Sequence, residues 1–349
     1  MQVVPDLAAV PLLKESTQVK EMLSISHGPR KTEVRINYSS LSVLQSCARK
    51  SNYLLERKLR SHVESPATVF GSAVHAALEV FYSEPREGRN LPANFRKVSD
   101  TLPYMQGTGA ELEDSHFLYR AMWRFCEKAA PLRALPDSDK RSLANGVWLL
   151  QNYFETYIED PYVVVCDEKG PITERLVEYP LYEDEHLRII YFGTVDVILR
   201  NEQTGVILPT DHKTTSVMGN DFFSRLKPNA QYTGYLWLAQ QVFKLKTDAF
   251  LVNGIGVKTR PVKATSQGPS FARQVTRRSV EDIEEFQQSV IEAVRNYLRW
   301  QASGVWPLGP VDVCSYWGGC SFIDVCSAPS VLRENIIENK FSGPVNANG

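Results

Sequence analysis

The chain has little cysteine, no long apolar run and almost no net charge, and each absence excludes a class of protein. Six of its 349 residues are cysteine, too few for the disulfide scaffold of a small secreted domain. No apolar stretch approaches the roughly 20 residues that a bilayer-spanning helix requires. With 39 basic and 40 acidic residues the net charge is -1, so any nucleic-acid binding must use a local groove.

The first residues, MQVVPDLAAVPLLKES, contain neither a basic region nor a long apolar block, which is unlike a secretory signal. We therefore expect a cytoplasmic protein with no membrane segment, or one in the host-cell cytoplasm if it is phage-encoded. The length suits one elaborated domain or two modest ones. A hydrophobic content of 43% is enough for a sizeable core.

Hydrophobic periodicity divides the chain into a helical first half and a mixed α/β centre. Residues 1–38 lack a clear period and predict an irregular lead-in, and 39–160 are predicted to be helical around a loop over 84–110. From residue 162 the period changes to two. We expect strands at 162–166, 175–182, 187–200, 206–210 and 248–258, and helices at 71–82, 116–130, 141–160, 228–244 and 280–302. The domain plan is an α/β core over 161–305, a cysteine-bearing segment over 306–330 and a polar tail over 331–349.

A polar turn between two apolar strands predicts a hairpin that carries charged side chains. Centring the turn Asn201-Glu-Gln-Thr-Gly205 between residues 203 and 204 pairs residues whose numbers sum to 407. Asp196 then lies opposite Asp211, about 5 Å away at Cβ. Lys213 shares their face because side chains alternate along a strand. Pro209 predicts a bulge or an edge position in the second strand.

Two aspartates and a lysine within Val- and Ile-rich strands are costly to bury without a compensating charge. The carboxylates repel each other unless a proton or a cation lies between them, and Mg²⁺ or Mn²⁺ prefers such oxygen ligands. Lys213 could position an attacking water or neutralise charge on a phosphate. The alternative is an edge hairpin with a surface Asp–Lys pair.

The hairpin and its flanking motifs resemble the RecB-like exonuclease branch of the PD-(D/E)XK nuclease superfamily. Asp196 followed by Asp211-His-Lys213 is similar to the superfamily signature (D/E)-x(n)-(D/E)-x-K. Three further stretches resemble the branch's G-x-x-x-H helix, G-x-(I/V)-D strand and Q-x-x-x-Y helix, in that order: Gly71-Ser-Ala-Val-His75, Gly193-Thr-Val-Asp196 and Gln231-Tyr-Thr-Gly-Tyr235. The resemblance covers roughly residues 40–330.

This resemblance implies a restriction-endonuclease-like α/β fold, a mixed central sheet flanked by helices, with a helical N-terminal insertion and a cysteine-rich C-terminal segment. It implies that Mg²⁺ or Mn²⁺ is held by His75, Asp196, Asp211 and the backbone carbonyl of His212. Lys213 would position the water, and Gln231 and Tyr235 would orient the strand. The implied activity is a DNA exonuclease acting on linear or single-stranded ends. Homo-oligomers and recombination or replication proteins are partners that fit this branch.

Further charged residues have weaker claims to the site. His75 alone would be assigned as a structural histidine, and Glu79 on the same helix face is better explained as solvated or salt-bridged. Glu178 is expected as a further carboxylate near the site. Basic residues expected to contact phosphates lie around Arg49–Arg60 and at Lys258, Arg260, Arg273, Arg277 and Arg278.

Three of the six cysteines lie within thirteen residues in a C-x5-C-x5-C pattern: Cys314, Cys320 and Cys326. A metal or cluster site of thiolates needs a fourth ligand, and Cys47 is the natural candidate. Many RecB-like members hold a [4Fe–4S] cluster with one cysteine before the G-x-x-x-H helix and three near the C-terminus. The resemblance therefore implies a structural cluster here, although the spacing departs from the C-x2-C-x5-C of some members. Zinc or four unrelated thiols are the alternatives, and Cys126 and Cys166 are predicted to be ordinary buried thiols.

Two other functions are compatible with the same residues. A non-catalytic module that binds DNA ends or proteins would keep the fold and the cysteines, but the intact Asp–Asp–Lys set favours an enzyme. A structure-specific or nicking endonuclease would use the same site, and a circular single-stranded substrate separates it from an end-dependent exonuclease.

Overall fold

The computed structural model of the protein describes residues 22–28, 31–62, 64–102, 115–261, 268–315 and 319–343. The strands are β1 Leu23–His27, β2 Thr32–Ile36, β3 Arg60–Ser61, β4 Tyr162–Val164, β5 Cys166–Asp167, β6 Gly170–Pro171, β7 Thr173–Glu183, β8 Leu187–Asn201, β9 Ile207–Thr215, β10 Ala249–Gly256, β11 Phe271–Arg277 and β12 Phe341–Ser342. The helices are α1 Tyr38–Ser46, α2 Ala48–Ser51, α3 Pro66–Ser83, α4 Phe95–Ser99, α5 Phe117–Lys128, α6 Leu143–Tyr157, α7 Asn220–Phe223, α8 Ala230–Phe243, α9 Val280–Ser303, α10 Asp312–Ser315, α11 Ile323–Ser327 and α12 Arg333–Lys340.

The described residues form two compact units. Unit 1 consists of Ser65–Val177 and Thr194–Ser279, and unit 2 consists of 22–64, Glu178–Gly193 and 280–343. Strands β7 and β8 each continue from one unit into the other along the chain. Within these residues no helix is both long and apolar enough to span a bilayer.

Unit 1 is built on a mixed sheet with helices on both faces. The second half of β8 is antiparallel to β4 and β9, β9 is parallel to β10, and β10 is antiparallel to β11. All of β10 is buried, as is typical of a strand covered on both faces. The expected α/β class, with a mixed central sheet flanked by helices, is confirmed.

The two faces of β10 pack against different helices because its side chains alternate. Leu251 and Ile255 belong to the core formed with α3, α5 and α6. Phe250 and Val252 pack with Leu236 of α8 on the other face. The sheet therefore lies between two layers of helices. This packing fixes the parts of β8 and β9 that carry Asp196 and Asp211.

Helix α3 carries one of the predicted site residues and lies close to β9. It begins with the side chain of Ser65 accepting a hydrogen bond from the backbone N–H of Ala67, followed by Pro66 in the first turn, where proline is tolerated. A Cβ at Gly71 would lie 3.4 Å from Thr214 Oγ1 of β9. The absence of a side chain at residue 71 therefore permits this close approach of helix and strand.

Unit 2 combines a small sheet with helices from both ends of the chain. β1 and β2 are antiparallel, and β2 is parallel to the first half of β8. The helices near its C-terminal end pack on an apolar cluster that contains Tyr53, Phe322 and Phe341. The short strand β12 pairs with β3.

The structure differs from the prediction in the segments predicted to be an irregular lead-in and a polar tail. Residues 22–38 are not irregular, because β1 and β2 occupy most of them; residues 1–21 lie outside the described residues. The segment from 331 is not a polar tail as far as residue 343. It contains α12 and β12, with Ile337 and Phe341 buried.

Two smaller predictions are also wrong, and a third, on Pro209, is wrong in part. The expected loop over 84–110 includes α4, although its residues 103–110 lie outside the described residues. There is no bulge at Pro209, because it pairs in register with Ile198 of β8. The pairing of β9 with β10 begins one residue later, at Thr210, so β9 has a partner on only one side at the proline. Cys126 is buried as expected, but Cys166 is exposed.

Candidate active site

The β8–β9 hairpin has the register that the turn predicts. Val197 pairs with Thr210, and the ladder continues to Arg200 and Ile207, so the residue numbers of each pair sum to 407. One residue beyond the Val197–Thr210 pair, the two strands carry Asp196 and Asp211. Both aspartates are buried, with exposed fractions of 8% and 2%.

The backbone of His212 holds two of the predicted metal ligands. Its N–H donates a hydrogen bond to Asp196 Oδ2 at 2.8 Å. Its carbonyl oxygen accepts from His75 Nε2 at 2.7 Å. On the other side of the strand His212 is paired with Asn253 of β10. The two backbone groups of His212 therefore fix a side chain of α3 and a side chain of β8.

The second ring nitrogen of His75 faces two carboxylates. Nδ1 lies 3.2 Å from Glu174 Oε1 and 3.4 Å from Asp196 Oδ2. One ligand atom from each of His75, Glu174 and Asp196 lies within 4.8 Å of the others, so these three side chains could hold a metal ion. Glu174 has a φ of +41°, a left-handed conformation that costs free energy in a residue other than glycine.

Asp211, Lys213, Gln231 and Tyr235 converge beside this group. Lys213 Nζ lies 3.0 Å from Asp211 Oδ2 and donates to Asp211 Oδ1 at 3.1 Å. Gln231 Nε2 donates to the same Oδ1 at 3.3 Å. Gln231 and Tyr235 lie one turn apart on α8, and both Gln231 and the carboxylate of Asp211 influence the pKa of Tyr235. The structure thus brings together all the residues predicted from the hairpin and the two helices.

Burial and neighbouring charges shift the ionisation of these groups. Burial raises the pKa of Asp196, and it raises the pKa of Asp211 to about 6 even though Lys213 opposes the shift. Burial alone would lower the pKa of His75, but the carboxylates of Asp196 and Glu174 outweigh it and raise the pKa to about 9. At neutral pH the imidazolium of His75 therefore supplies a positive charge to the carboxylates.

The donor set fits a hard divalent cation. Asp211 Oδ2 is buried and accepts no well-directed hydrogen bond from the described residues, although Lys213 Nζ is close. Carboxylate oxygens are the preferred ligands of Mg²⁺ and Mn²⁺, and a cation would offset the cost of burying two carboxylates. The carbonyl of His212 has two lone pairs, of which His75 occupies one.

The model of the PD-(D/E)XK nuclease superfamily matches residues 35–327, a span that includes every residue of this site. The chain belongs to the PD-(D/E)XK nuclease superfamily. Membership indicates a metal-dependent nuclease and therefore a hydrolase. A search of curated proteins finds no match to the chain.

Sequence reasoning missed Glu174, which the superfamily signature does not contain. The predicted strand began one residue later, at residue 175. Alternation of polar and apolar residues cannot predict the left-handed backbone conformation of Glu174. Glu178 was expected instead, but it forms an ion pair with Arg35 in unit 2. The superfamily motifs therefore do not reveal every carboxylate that lies beside His75.

Some basic residues expected to contact phosphates are not available to do so. Arg278 is 3% exposed, and its guanidinium donates to Thr233 and to the carbonyl of Leu226. Arg273 is largely buried against Asp160. Lys258 and Arg260, by contrast, are exposed and remain candidates for binding the nucleic acid of a nuclease.

The four predicted cluster cysteines line one cavity of unit 2, together with Lys50 and Gly309. The N–H of Gly309 donates to Cys47 Sγ at 3.3 Å. Among the residues described, however, no three cysteine sulfurs lie within 4.8 Å of one another. The superfamily match itself carries no information about a cluster, so the cysteines are a second, separate candidate site.

Proposed function

We propose that the protein is a Mg²⁺- or Mn²⁺-dependent deoxyribonuclease that hydrolyses phosphodiester bonds from the ends of linear or single-stranded DNA. The convergence of His75, Asp196, Asp211 and Lys213 in a PD-(D/E)XK nuclease carries the proposal. His75, after losing the proton on Nδ1, would hold the cation together with Asp196, Asp211 and the carbonyl of His212. The bound cation would supply positive charge for the scissile phosphate and the departing oxygen.

Lys213 has the position of a group that orients the attacking water. Its ammonium is held by Asp211, and its side chain is one-third exposed at 32%, so it can reach both the buried carboxylate and a solvent molecule. A water bonded to Lys213 would lie beside the side chains that would hold the cation. The proposed role is therefore positioning of the nucleophile, with the ammonium also opposing negative charge on the phosphate.

Tyr235 and Gln231 are suited to orient the DNA strand. Burial, followed by the charges of Asp211 and Asp196, raises the pKa of Tyr235, so its phenol keeps its proton at neutral pH. A protonated phenol donates a hydrogen bond, and a phosphate oxygen is a fitting acceptor. Both residues lie on α8, one helical turn apart, which gives them a common direction.

The exonuclease assignment rests on the ordered motifs of the RecB-like branch. The G-x-x-x-H helix and the Q-x-x-x-Y helix both contribute to the site, which supports a relationship to that branch. The end preference itself is decided by experiment, because an endonuclease would use the same ligands.

We propose in addition that Cys47, Cys314, Cys320 and Cys326 hold a structural [4Fe–4S] cluster. Their common cavity and the chemistry of four thiolates support a metal centre. Zinc is the alternative.

The decisive assay uses end-labelled linear DNA and closed-circular single-stranded DNA, each with Mg²⁺ or Mn²⁺, and anaerobically purified protein. Asp211→Ala is the inactive variant, and Asp248→Asn, an exposed carboxylate of the same unit, is its control. Cation-dependent loss of the linear substrate alone is the expected result, with the label reporting polarity. Cutting of the circle would establish an endonuclease, and no cleavage by folded protein would leave the binding module as the better assignment.

A further inference from the structure

A buried polar group lies behind the active site, on the side of β9 away from the ligands. It contains Asn253 of β10, which is fully buried, and the side chains of Tyr82, Tyr153, Asp160 and Arg273. None of these residues belongs to the superfamily signature. Burying polar groups costs free energy unless they are hydrogen-bonded, so a buried group of five polar side chains suggests a function. Its contact with His212 indicates what that function is.

Asn253 joins this group to His212. Its Nδ2 donates to Tyr153 Oη at 2.6 Å and to His212 Nδ1 at 2.8 Å, and its Oδ1 lies 3.4 Å from Arg273 Nε as acceptor. The reversed amide would place two donors together at Arg273, whose guanidinium can only donate, so this orientation is the one that satisfies the network. Asn253 therefore requires an imidazole that accepts at Nδ1.

The ring of His212 meets that requirement. Its exposed fraction is 2%, and its Nδ1 lies 2.8 Å from the donating amide nitrogen of Asn253. A ring nitrogen that accepts a hydrogen bond carries no proton, so the ring is neutral with its proton on Nε2. Tyr82 stacks on it with centroids 5.2 Å apart and an interplanar angle of 16°, so both the tilt and the direction of the ring are defined.

The network holding Asn253 and Tyr82 is itself anchored. Arg273 donates to Tyr82 Oη at 2.8 Å and forms an ion pair with Asp160, and its guanidinium lies 3.9 Å from the ring centroid of Tyr157. The hydroxyls of Tyr82 and Tyr153 are 2.8 Å apart. The side chain of His212 is therefore held by groups that have few alternative arrangements.

The backbone of His212 needs such an anchor. The paired residues of β8 and β9 end at Val197 and Thr210, so on this side the N–H and C=O of His212 bond to Asp196 and His75 and not to a strand. A change of backbone conformation at His212 would disturb both hydrogen bonds. Besides the pairing of β9 with β10, the side chain of His212 is the part of the residue that contacts the buried network.

We propose that Asn253 is a positioning residue: by holding the neutral imidazole of His212, it directs the backbone of His212 at Asp196 and His75 and thereby sets the affinity for the divalent cation. This inference rests on the proposed metal-dependent activity. Groups that orient metal ligands typically change metal affinity by 10–100-fold when they are removed, and we expect about tenfold here because Asn253 acts through a backbone.

The experiment measures Mn²⁺ binding by calorimetry for the wild type, Asn253→Ala and Asn253→Asp. Asn145→Ala is the matched control, because Asn145 is a buried amide of the same unit whose Nδ2 donates to backbone carbonyls. We expect Asn253→Ala to bind Mn²⁺ about tenfold more weakly, and Asn145→Ala to bind like the wild type even if it is less stable.

A second readout does not depend on metal. Imidazole ¹⁵N shifts of histidine-labelled protein distinguish the two neutral tautomers. The wild type is expected to carry the His212 proton on Nε2, and Asn253→Asp, which offers an acceptor, is expected to move it to Nδ1. This measurement on the wild type stands even if Asn253→Ala does not fold.

The outcomes separate the two proposals. Unchanged Mn²⁺ affinity in the Asn253 variants, or a wild-type His212 protonated on Nδ1, would overturn the role of Asn253 and leave the nuclease assignment intact. Wild-type protein that binds no Mn²⁺ would overturn the metal-dependent activity, and the inference would fall with it. Weaker binding in Asn253→Ala with the expected tautomers would establish the inference.

Discussion

The ligands of the active site in unit 1 and the cysteines of unit 2 are held in different ways. In unit 1, Asp196 and His75 are each hydrogen-bonded to the backbone of His212, and a protonated histidine balances the carboxylates. In unit 2, the described residues supply a single hydrogen bond to the sulfurs of the four cavity cysteines, from Gly309 to Cys47. The comparison teaches that hydrogen bonds of the protein itself organise the first site, whereas the described residues provide little such support to the four cysteines.

The largest effect is expected from removing a carboxylate of the organised site. Asp196→Asn should reduce cleavage by about 10³-fold or more, as loss of a residue acting within a catalytic group does, because the cation loses an anionic ligand. The amide oxygen can still accept from His212, so the fold should persist. Activity, circular dichroism and iron content together check this result; Asp248→Asn should match the wild type, and substantial residual cleavage would contradict the assignment.

The cysteine site is expected to respond in stability more than in chemistry. Cys314→Ala should eliminate the bound iron and lower Tm by several degrees, because the segment around α10 and α11 loses its link to Cys47. Elemental analysis, visible absorption and calorimetry measure both effects. Cys166→Ala is the control, since that thiol is exposed and belongs to unit 1. Protein that never contains iron or zinc would show that the four thiols are unrelated.

A smaller effect is expected from changing Glu174, the carboxylate that was not predicted from the sequence. Glu174→Gln removes one negative charge 3.2 Å from His75 Nδ1, so the pKa of His75 should fall from about 9 toward its ordinary value. Mn²⁺ affinity should also decrease, by about tenfold. NMR titration and calorimetry provide the two measurements, with Glu178→Gln, whose partner is Arg35, as the control. If neither quantity changes, Glu174 is only a neighbour of the site.

The smallest effect is a pH dependence of the metal-free protein. The folded-state pKa of His75, about 9, lies above the ordinary value of about 6.5. Its contribution to stability is therefore complete below about pH 6.5 and is lost as the pH rises through about 9. We expect Tm to fall by a few degrees across this interval when chelator is present, and the fall to be smaller in His75→Gln. A wild-type curve as flat as that of His75→Gln would contradict the ionisation described for His75.

The sequence predicted the β8–β9 hairpin better than the first strands and the last helix of the described residues, for physical reasons. The hairpin register followed from a polar turn and a strict period of two, which together leave one pairing for Asp196 and Asp211. The strands β1 and β2 are five residues long and half polar, so they gave no clear period. Helix α12 is mostly polar, and only Ile337 among its residues is buried.

The candidate site was predictable where its residues fall in motifs and unpredictable where they act through the fold. Glu174 reaches His75 through a left-handed backbone conformation, which no alternating pattern encodes. Asn253 looks like a polar interruption of an apolar strand until β10 is aligned beside β9. Arg273, expected to bind phosphate, has a buried aspartate and tyrosines around it because β11 directs it inward.

The pairing of β8 with β9 also limits how the chain can vary over evolution. The two strands are joined by the short turn after Asn201, in which Gly205 has a φ of +73°. A one-residue insertion absorbed by the strands would turn Asp211 and Lys213 to the opposite face of the sheet. Related nucleases should therefore tolerate substitutions in this turn more readily than changes in its length, and viable insertions should protrude as bulges that preserve the pairing of Val197 with Thr210.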